Sequence, residues 1–142
     1  MRRKAREYAL QILYALDLNP VKTRDFLEIF WEMHPARPDA TEYAEFLVNG
    51  TLGKKEEIDG RISRHSSHWK IERMAVTDRN ILRLATFELM SEDWVPAKVV
   101  MNEAIEIAKK FGTTDSANFI NGVLDSIHQE IEESQKSSQP VS

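Results

Sequence analysis

The feature that most limits what this chain can become is the spacing of its apolar residues, which recur every three or four positions and scarcely ever alternate. Ala5, Ala9, Ile12, Leu13 and Leu16 fall on one helical face, and Asn19-Pro20 closes the helix predicted over Arg3–Asp17. A second helix carries Phe26, Leu27, Phe30 and Trp31 and stops near Pro35. A third opens at Asp39, with Glu42 in capping-box register; it lays Tyr43, Ala44, Leu47 and Thr51 on its core face and continues through Ile58 and Ile62. A short turn is expected around Trp69–Met74.

The second half carries the same signal. Thr77 or Asp78 opens a helix with Ile81, Leu82, Ala85 and Leu89 on one face. Pro96 stands where a first-turn proline belongs and Gly112 where a C-cap glycine belongs, with Val100, Ala104, Ile107 and Phe111 as the stripe between them. The last helix starts near Asp115 and buries Ile120, Leu124, Ile127 and Ile131. With five glycines and five prolines in 142 residues, the expectation is an all-α fold of six or seven helices. Residues 1–131 make the helical domain, and 132–142, without an apolar period, read as a disordered acidic and polar tail.

Charge distribution says more than the net value of −4. Four of the five residues from Arg2 to Arg6 are cationic, a basic patch on an acidic body. The absence of cysteine excludes disulfides and thiolate chemistry. No apolar run approaches membrane-spanning length, and Glu7, Gln11 and Asp17 interrupt what a secretory signal would need, so a cytoplasmic protein is expected.

Catalytic constellations are not found. Glycine-rich phosphate loops and the nucleophile elbow are missing. His65 and His68 share a spacing that metal ligands use, but a polar turn through Ser66-Ser67 explains them without metal. His34 and His128 read as surface histidines. Glu103 and Glu106, beside Lys109 and Lys110, form an ordinary solvated ion-paired face. Glu88 sits at the edge of an apolar face and reads as a structural hydrogen-bonder. The chain is therefore expected to be no enzyme and to need no cofactor or metal.

Two places suit a binding partner. Arg3, Arg6, Leu10 and Tyr14 share the face of the first helix opposite its core stripe. Two readings stand for it: an edge that meets RNA and a protein together, or solvated arginines beside residues packed on another helix. The second place is Phe111–Phe119, which ends at a helix N-terminus, where unpaired N–H groups suit a phosphate. Phe119, beside Gly122, is either a platform for an unpaired base or a core residue; Asp115 either accepts from a base edge or caps the helix. An RNA bound there would be single-stranded, because A-form duplex hides its sequence in a deep groove.

These segments also carry a resemblance. Arg2 to Tyr14, Ile81 to Leu89, Val95 to Lys109, and the run Phe111-Gly112, Asp115-Ser116 and Phe119 to Asp125 are similar, in order, to the signature blocks of the NusB family. The resemblance implies two packed three-helix bundles and binding to single-stranded boxA RNA of ribosomal RNA leader and antiterminator transcripts. The implied partners are the small-subunit ribosomal protein that doubles as NusE and an RNA polymerase antitermination complex. RNA contacts would fall on Arg2, Arg3, Lys4, Arg6, Phe111, Asp115 and Phe119. The partner surface would include Leu10, Tyr14 and Asp78, and an exposed Leu10–Tyr14 pair would also suit a homodimer. After Ser116 this chain has Ala117-Asn118, where the family pattern is more basic.

Overall fold

Amphipathic segments of this spacing bury their stripes against one another, and the computed structural model, which describes residues 2–91 and 95–138, shows how. The helices are α1 (Arg2–Leu18), α2 (Thr23–Met33), α3 (Pro38–Gly53), α4 (Lys55–His65), α5 (Val76–Met90), α6 (Ala97–Phe111) and α7 (Ser116–Ser138). A single 3-10 turn, Ile71–Arg73, fills the place where a short turn is expected. No strand occurs among the described residues.

Helices α1, α2 and α3 form one bundle and α5, α6 and α7 the other, with α4 packed on α5 and α7. The two share a core. Ile12, Leu27 and Leu47 from the first side meet Ile81, Leu82, Ile107, Ile120 and Leu124 from the second, all essentially without solvent contact. The predicted stripe of α7 is buried at all four positions, Ile120, Leu124, Ile127 and Ile131.

Helix α5 exceeds its expected single face. Every residue from Asn80 to Glu88 is buried, because α1, α3, α4, α6 and α7 all pack on it. An all-round burial of this kind marks a central helix rather than a surface one. Arg83 and Asn80 are paired: Arg83 donates to Asp59 at 2.8 and 3.1 Å and to Asp17 at 3.1 Å, and Asn80 donates to Asp17 at 2.9 Å. The buried Thr86 hydroxyl has no partner among the described residues. Close approach to α3 depends on Gly50, where an added Cβ would lie 2.0 Å from the tip of the Phe87 ring.

Three expectations need correction. The third helix does not run on through Ile62: it ends at Gly53, and α4 restarts after Lys54, whose φ of −117° and ψ of 22° break the helical path. Glycine at an exposed helix position weakens helical continuity by about 1 kcal/mol, and Gly53 has nothing packed over it. Asp39 does not cap the third helix, which opens at Pro38 after Arg37 and has no side-chain cap hydrogen bond. Gly112 is the C-cap of α6, as expected, with a φ of −95° and its N–H on the Ala108 carbonyl. It is glycine because a Cβ there would lie 2.5 Å from Ser116 Oγ and 2.8 Å from the Ala108 carbonyl.

The third concerns the tail. Residues from Glu132 to Ser138 continue α7 as helix. Buried Ile131 anchors the turn before them, His128 pairs with Glu132 across one turn at 2.6 Å, and Glu, Gln and Lys are good helix formers. The part of the expected tail from Gln139 onward lies outside the described residues.

Candidate nucleic-acid interface

The basic run of α1 divides by depth. Arg2, Arg3 and Lys4 are exposed, whereas Arg6 is buried. Arg6 donates from Nε and Nη2 to the two oxygens of Glu88 at 2.7 and 2.8 Å, and the Tyr43 hydroxyl completes Glu88 at 2.7 Å. Its guanidinium is spent on the core, so the placing of Arg6 on an RNA surface is corrected. Glu88 is the structural hydrogen-bonder that its position suggests. Leu10 is also corrected: it is 3% exposed, packed in the core, while Tyr14 on the same face is 40% exposed. Helix α1 meets both α3 and α5, so more than one of its faces is buried. The apolar pair on which a homodimer rested therefore loses Leu10.

The three exposed cations do not stand alone. Arg2 lies over the Tyr43 ring at 4.3 Å and Lys4 over Tyr8 at 4.9 Å. Arg3 donates to Glu103 on α6, and that hydrogen bond, with the arginine charge, holds the Glu103 carboxyl below its ordinary value. One turn along, Lys110 at the end of α6 donates to the buried Glu7 carboxylate at 2.8 Å. Arg3 with Glu103 and Glu7 with Lys110 thus bridge α1 to α6 through long side chains, in the same order along both helices. Helix α6 has 15 residues, about 22 Å of length, and carries this seam toward Phe111.

Phe111 closes the expected α6 stripe in sequence but not in space. It is 37% exposed, with Lys110 Nζ 5.3 Å from its ring. Sequence reasoning took Lys109 and Lys110 together as a solvated face. Glu106 and Lys109 do form such a pair at 3.4 Å, but Lys110 is held at the α1 seam beside an open aromatic ring. The only linear signal for it was a cation in the last turn of α6 next to Phe111.

Beyond Phe111 the chain turns through Gly112–Asp115 into α7. Asp115 is exposed, and its carboxylate takes no hydrogen bond from the helix backbone among the described residues, so the capping reading does not hold. The turn is built around Ser116 instead, a residue that sequence reasoning passed over. Its buried hydroxyl accepts from the Thr113 N–H at 2.9 Å and donates to Asp78 Oδ1, in the first turn of α5, at 2.7 Å. Phe119 is half-buried. With Asp115, Asp78, Trp69, Arg73 and Met74 it lines an open groove of about 260 Å³. Asp78, expected on a partner surface, thus shares a groove with Asp115 and Phe119.

Among the described residues, Tyr14 and Asp78 are linked only through their neighbours. Asp17, one turn past Tyr14, accepts from Arg79 Nε at 2.7 Å and Nη2 at 3.0 Å. Burial pushes the Asp17 carboxyl up, and hydrogen bonds from Arg79 and Asn80 with the arginine charges more than reverse it, leaving it below its ordinary value.

The remaining candidates resolve into structural roles. His65 Nε2 lies 3.0 Å from Glu130, and His34 stacks on Phe30 with ring centroids 4.2 Å apart. Among the described residues no group of three or more His, Asp or Glu side chains is placed to hold a metal ion, and no helix is long and apolar enough to cross a membrane.

Comparison with known proteins agrees with the all-helical fold. The sequence profile of the NusB family matches residues 3–129. A transcription antitermination protein NusB from Bdellovibrio bacteriovorus is 45% identical over 128 residues, covering 89% of this chain and 93% of that protein. The structure of T. maritima NusB superposes with a TM-score of 0.80 at 37% identity, over 92% of each chain. A chain from the crystal structure of antitermination factors NusB and NusE in complex with dsRNA also superposes at 0.80. It is 31% identical, and the match covers 91% of this chain and 96% of that one.

Proposed function

The chain belongs to the NusB family, and from that premise we propose that it acts as a transcription antitermination factor. In this reading it is a cytoplasmic, non-catalytic scaffold that binds single-stranded boxA RNA jointly with the ribosomal protein NusE. The assembly joins an RNA polymerase antitermination complex and supports ribosomal RNA transcription. The reading is supported by three sets of groups suited to RNA: the exposed cations Arg2, Arg3 and Lys4, bridged to α6 by Arg3; Lys110 with the exposed Phe111 at the end of α6; and Asp115 with Phe119, which share a groove beyond the turn that follows.

Such cations engage phosphates, and the two rings offer faces for unpaired bases. Asp115, exposed and uncommitted to capping, accepts a hydrogen bond from a base edge, which adds preference where stacking alone gives little. The cations are few. With a slope of about −0.7 in log K per log salt for each phosphate, three or four of them give a total of about −2 to −3. Binding by this chain alone is then modest, and a partner that adds surface makes it tight. Tyr14 and Asp78 are our candidates for that partner's surface.

An RNA titration tests this. It compares a boxA-containing single strand, a scrambled strand of equal length and boxA annealed to its complement, with and without NusE, at two salt concentrations. The expected result is preference for single-stranded boxA that tightens with NusE and is lost in Phe119→Ala. Preference for the annealed duplex would overturn the single-strand reading alone. Equal, weak binding to all three, unmoved by NusE, would overturn the whole proposal and leave a helical protein–protein adaptor.

A further inference from the structure

Asp78 is the first acidic residue of α5, and the family resemblance implies a partner surface for it, yet among the described residues its one direct side-chain bond leads elsewhere. Its Oδ1 accepts from Ser116 Oγ at 2.7 Å, and the same hydroxyl accepts from the Thr113 N–H at 2.9 Å. Thr113 Oγ1 lies a further 3.2 Å from Ser116 Oγ. Two groups of the α6–α7 turn and one of α5 therefore converge on one buried hydroxyl, and among the described residues Asp78 is the only carboxylate that orients it.

The turn has no slack to settle otherwise. Gly112 packs so closely on Ser116 that a Cβ would overlap both its Oγ, at 2.5 Å, and its Cβ, at 2.7 Å. Ser116 is the first residue of α7, so its position sets where Asp115, one residue earlier, and Phe119, one turn later, present their side chains. With both hydroxyl lone-pair and proton directions fixed, the hydroxyl cannot rotate to a second partner without losing a bond to a charged acceptor, the stronger kind.

From this geometry we infer that Asp78 is a positioning residue of the RNA-binding turn: through Ser116 it sets the Thr113–Phe119 segment for base recognition, independently of any protein partner. The inference rests on the reading of that segment as an RNA surface. It assigns base discrimination, not overall affinity, to the Asp78–Ser116 bond, since the cations of α1 and α6 that engage phosphates lie outside it.

The test uses the full chain without NusE. Asp78→Ala, Ser116→Ala, the double variant and Asp78→Asn are compared for binding to boxA and scrambled strands, with helical circular dichroism as a check on folding. Asp78→Ala and Ser116→Ala should each lower the boxA-over-scrambled ratio about tenfold, the scale of one charge-assisted hydrogen bond. The double variant should lose no more than either single one, Asp78→Asn should recover most of the ratio, and the salt slope should stay unchanged. Independently of RNA, exchange of the Thr113 amide hydrogen should quicken about tenfold in Asp78→Ala.

A folded Asp78→Ala that keeps wild-type discrimination and a slow Thr113 amide would overturn the inference, as would losses that add in the double variant. Should Asp78→Ala lose its helical signal, Ser116→Ala deletes the same bond from the other end and decides the matter. If the wild-type chain itself fails to discriminate, the RNA reading falls, while the Thr113 exchange still judges whether Asp78 holds the turn.

Discussion

Arg6 offers the sharpest division between a structural and an RNA-binding role. The side chains of Arg6 and Glu88 are 5% and 1% exposed, and two of the three hydrogen bonds that Glu88 accepts come from that guanidinium. Arg6→Ala leaves Glu88 buried with only the Tyr43 hydroxyl. Breaking one partner of a buried pair costs about 3–5 kcal/mol, most of it the stranded charge. For a chain of this size each kcal/mol moves the melting temperature by roughly 3–4 °C, so the midpoint should fall by roughly 10–20 °C. Replacing both residues by apolar ones of similar volume, Arg6→Met with Glu88→Leu, removes both charges and should restore most of that loss. Thermal unfolding followed by circular dichroism reads the first effect, and boxA titration of the folded protein reads the second. In Arg6→Met/Glu88→Leu the affinity should match wild type. If Arg6→Ala melts within a degree or two of wild type and binds RNA much more weakly, the buried-pair argument is wrong and Arg6 belongs to the RNA surface.

Four further outcomes are expected. Glu103→Gln releases Arg3 from its carboxylate neighbour, so RNA affinity should rise several-fold and the salt slope should steepen by about 0.7; weaker binding would count against the seam. Phe119→Ala should abolish boxA preference with little change in binding to scrambled RNA, by the same titration. Gly50→Ala drives a Cβ into the Phe87 ring and should destabilise by about 1–3 kcal/mol in denaturant titration, with Phe87→Leu relieving much of it. Asp17 is held below its ordinary value of 3.8 by Arg79, Asn80 and Arg83, so its contribution is full above that pH and lost as pH falls through the lower folded value. Acid titration of stability should therefore be flatter below about pH 4 in Asp17→Asn than in wild type.

Much of the fold was legible because a 3.6-residue apolar period is a direct record of which face is buried. The four buried positions of α7 and the core residues of α3 are where the spacing puts them. The failures share a cause: a helical projection assumes one buried face. Helix α1 packs against both α3 and α5, so Leu10 and Arg6, opposite the main stripe, are also interior. Burial of an arginine cannot be read from its own segment, since it depends on Glu88, 82 positions away. Within the site, Phe111 and Phe119 carry a local signal, an aromatic at either side of a glycine-bearing turn. Lys110 and Ser116 do not, because the groups that give them meaning, Glu7 and Asp78, come from other helices. The tail was misread for the opposite reason: lack of an apolar stripe rules out packing, yet helix propensity and an i,i+4 pair are enough to extend an anchored helix.

The burial of α5 on every side has a consequence for anything that lies across the surface. Since α1, α3, α4, α6 and α7 all rest on this one helix, the two bundles have a member in common and no seam about which to hinge. The exposed cations that open α1 and the ring of Phe119 are therefore held on one common body. If RNA binds as proposed, a strand that reaches both ends must supply a spacer of matching length. In that reading the fold works as a caliper, setting the number of nucleotides between a charged end and a stacked one before any base edge is read.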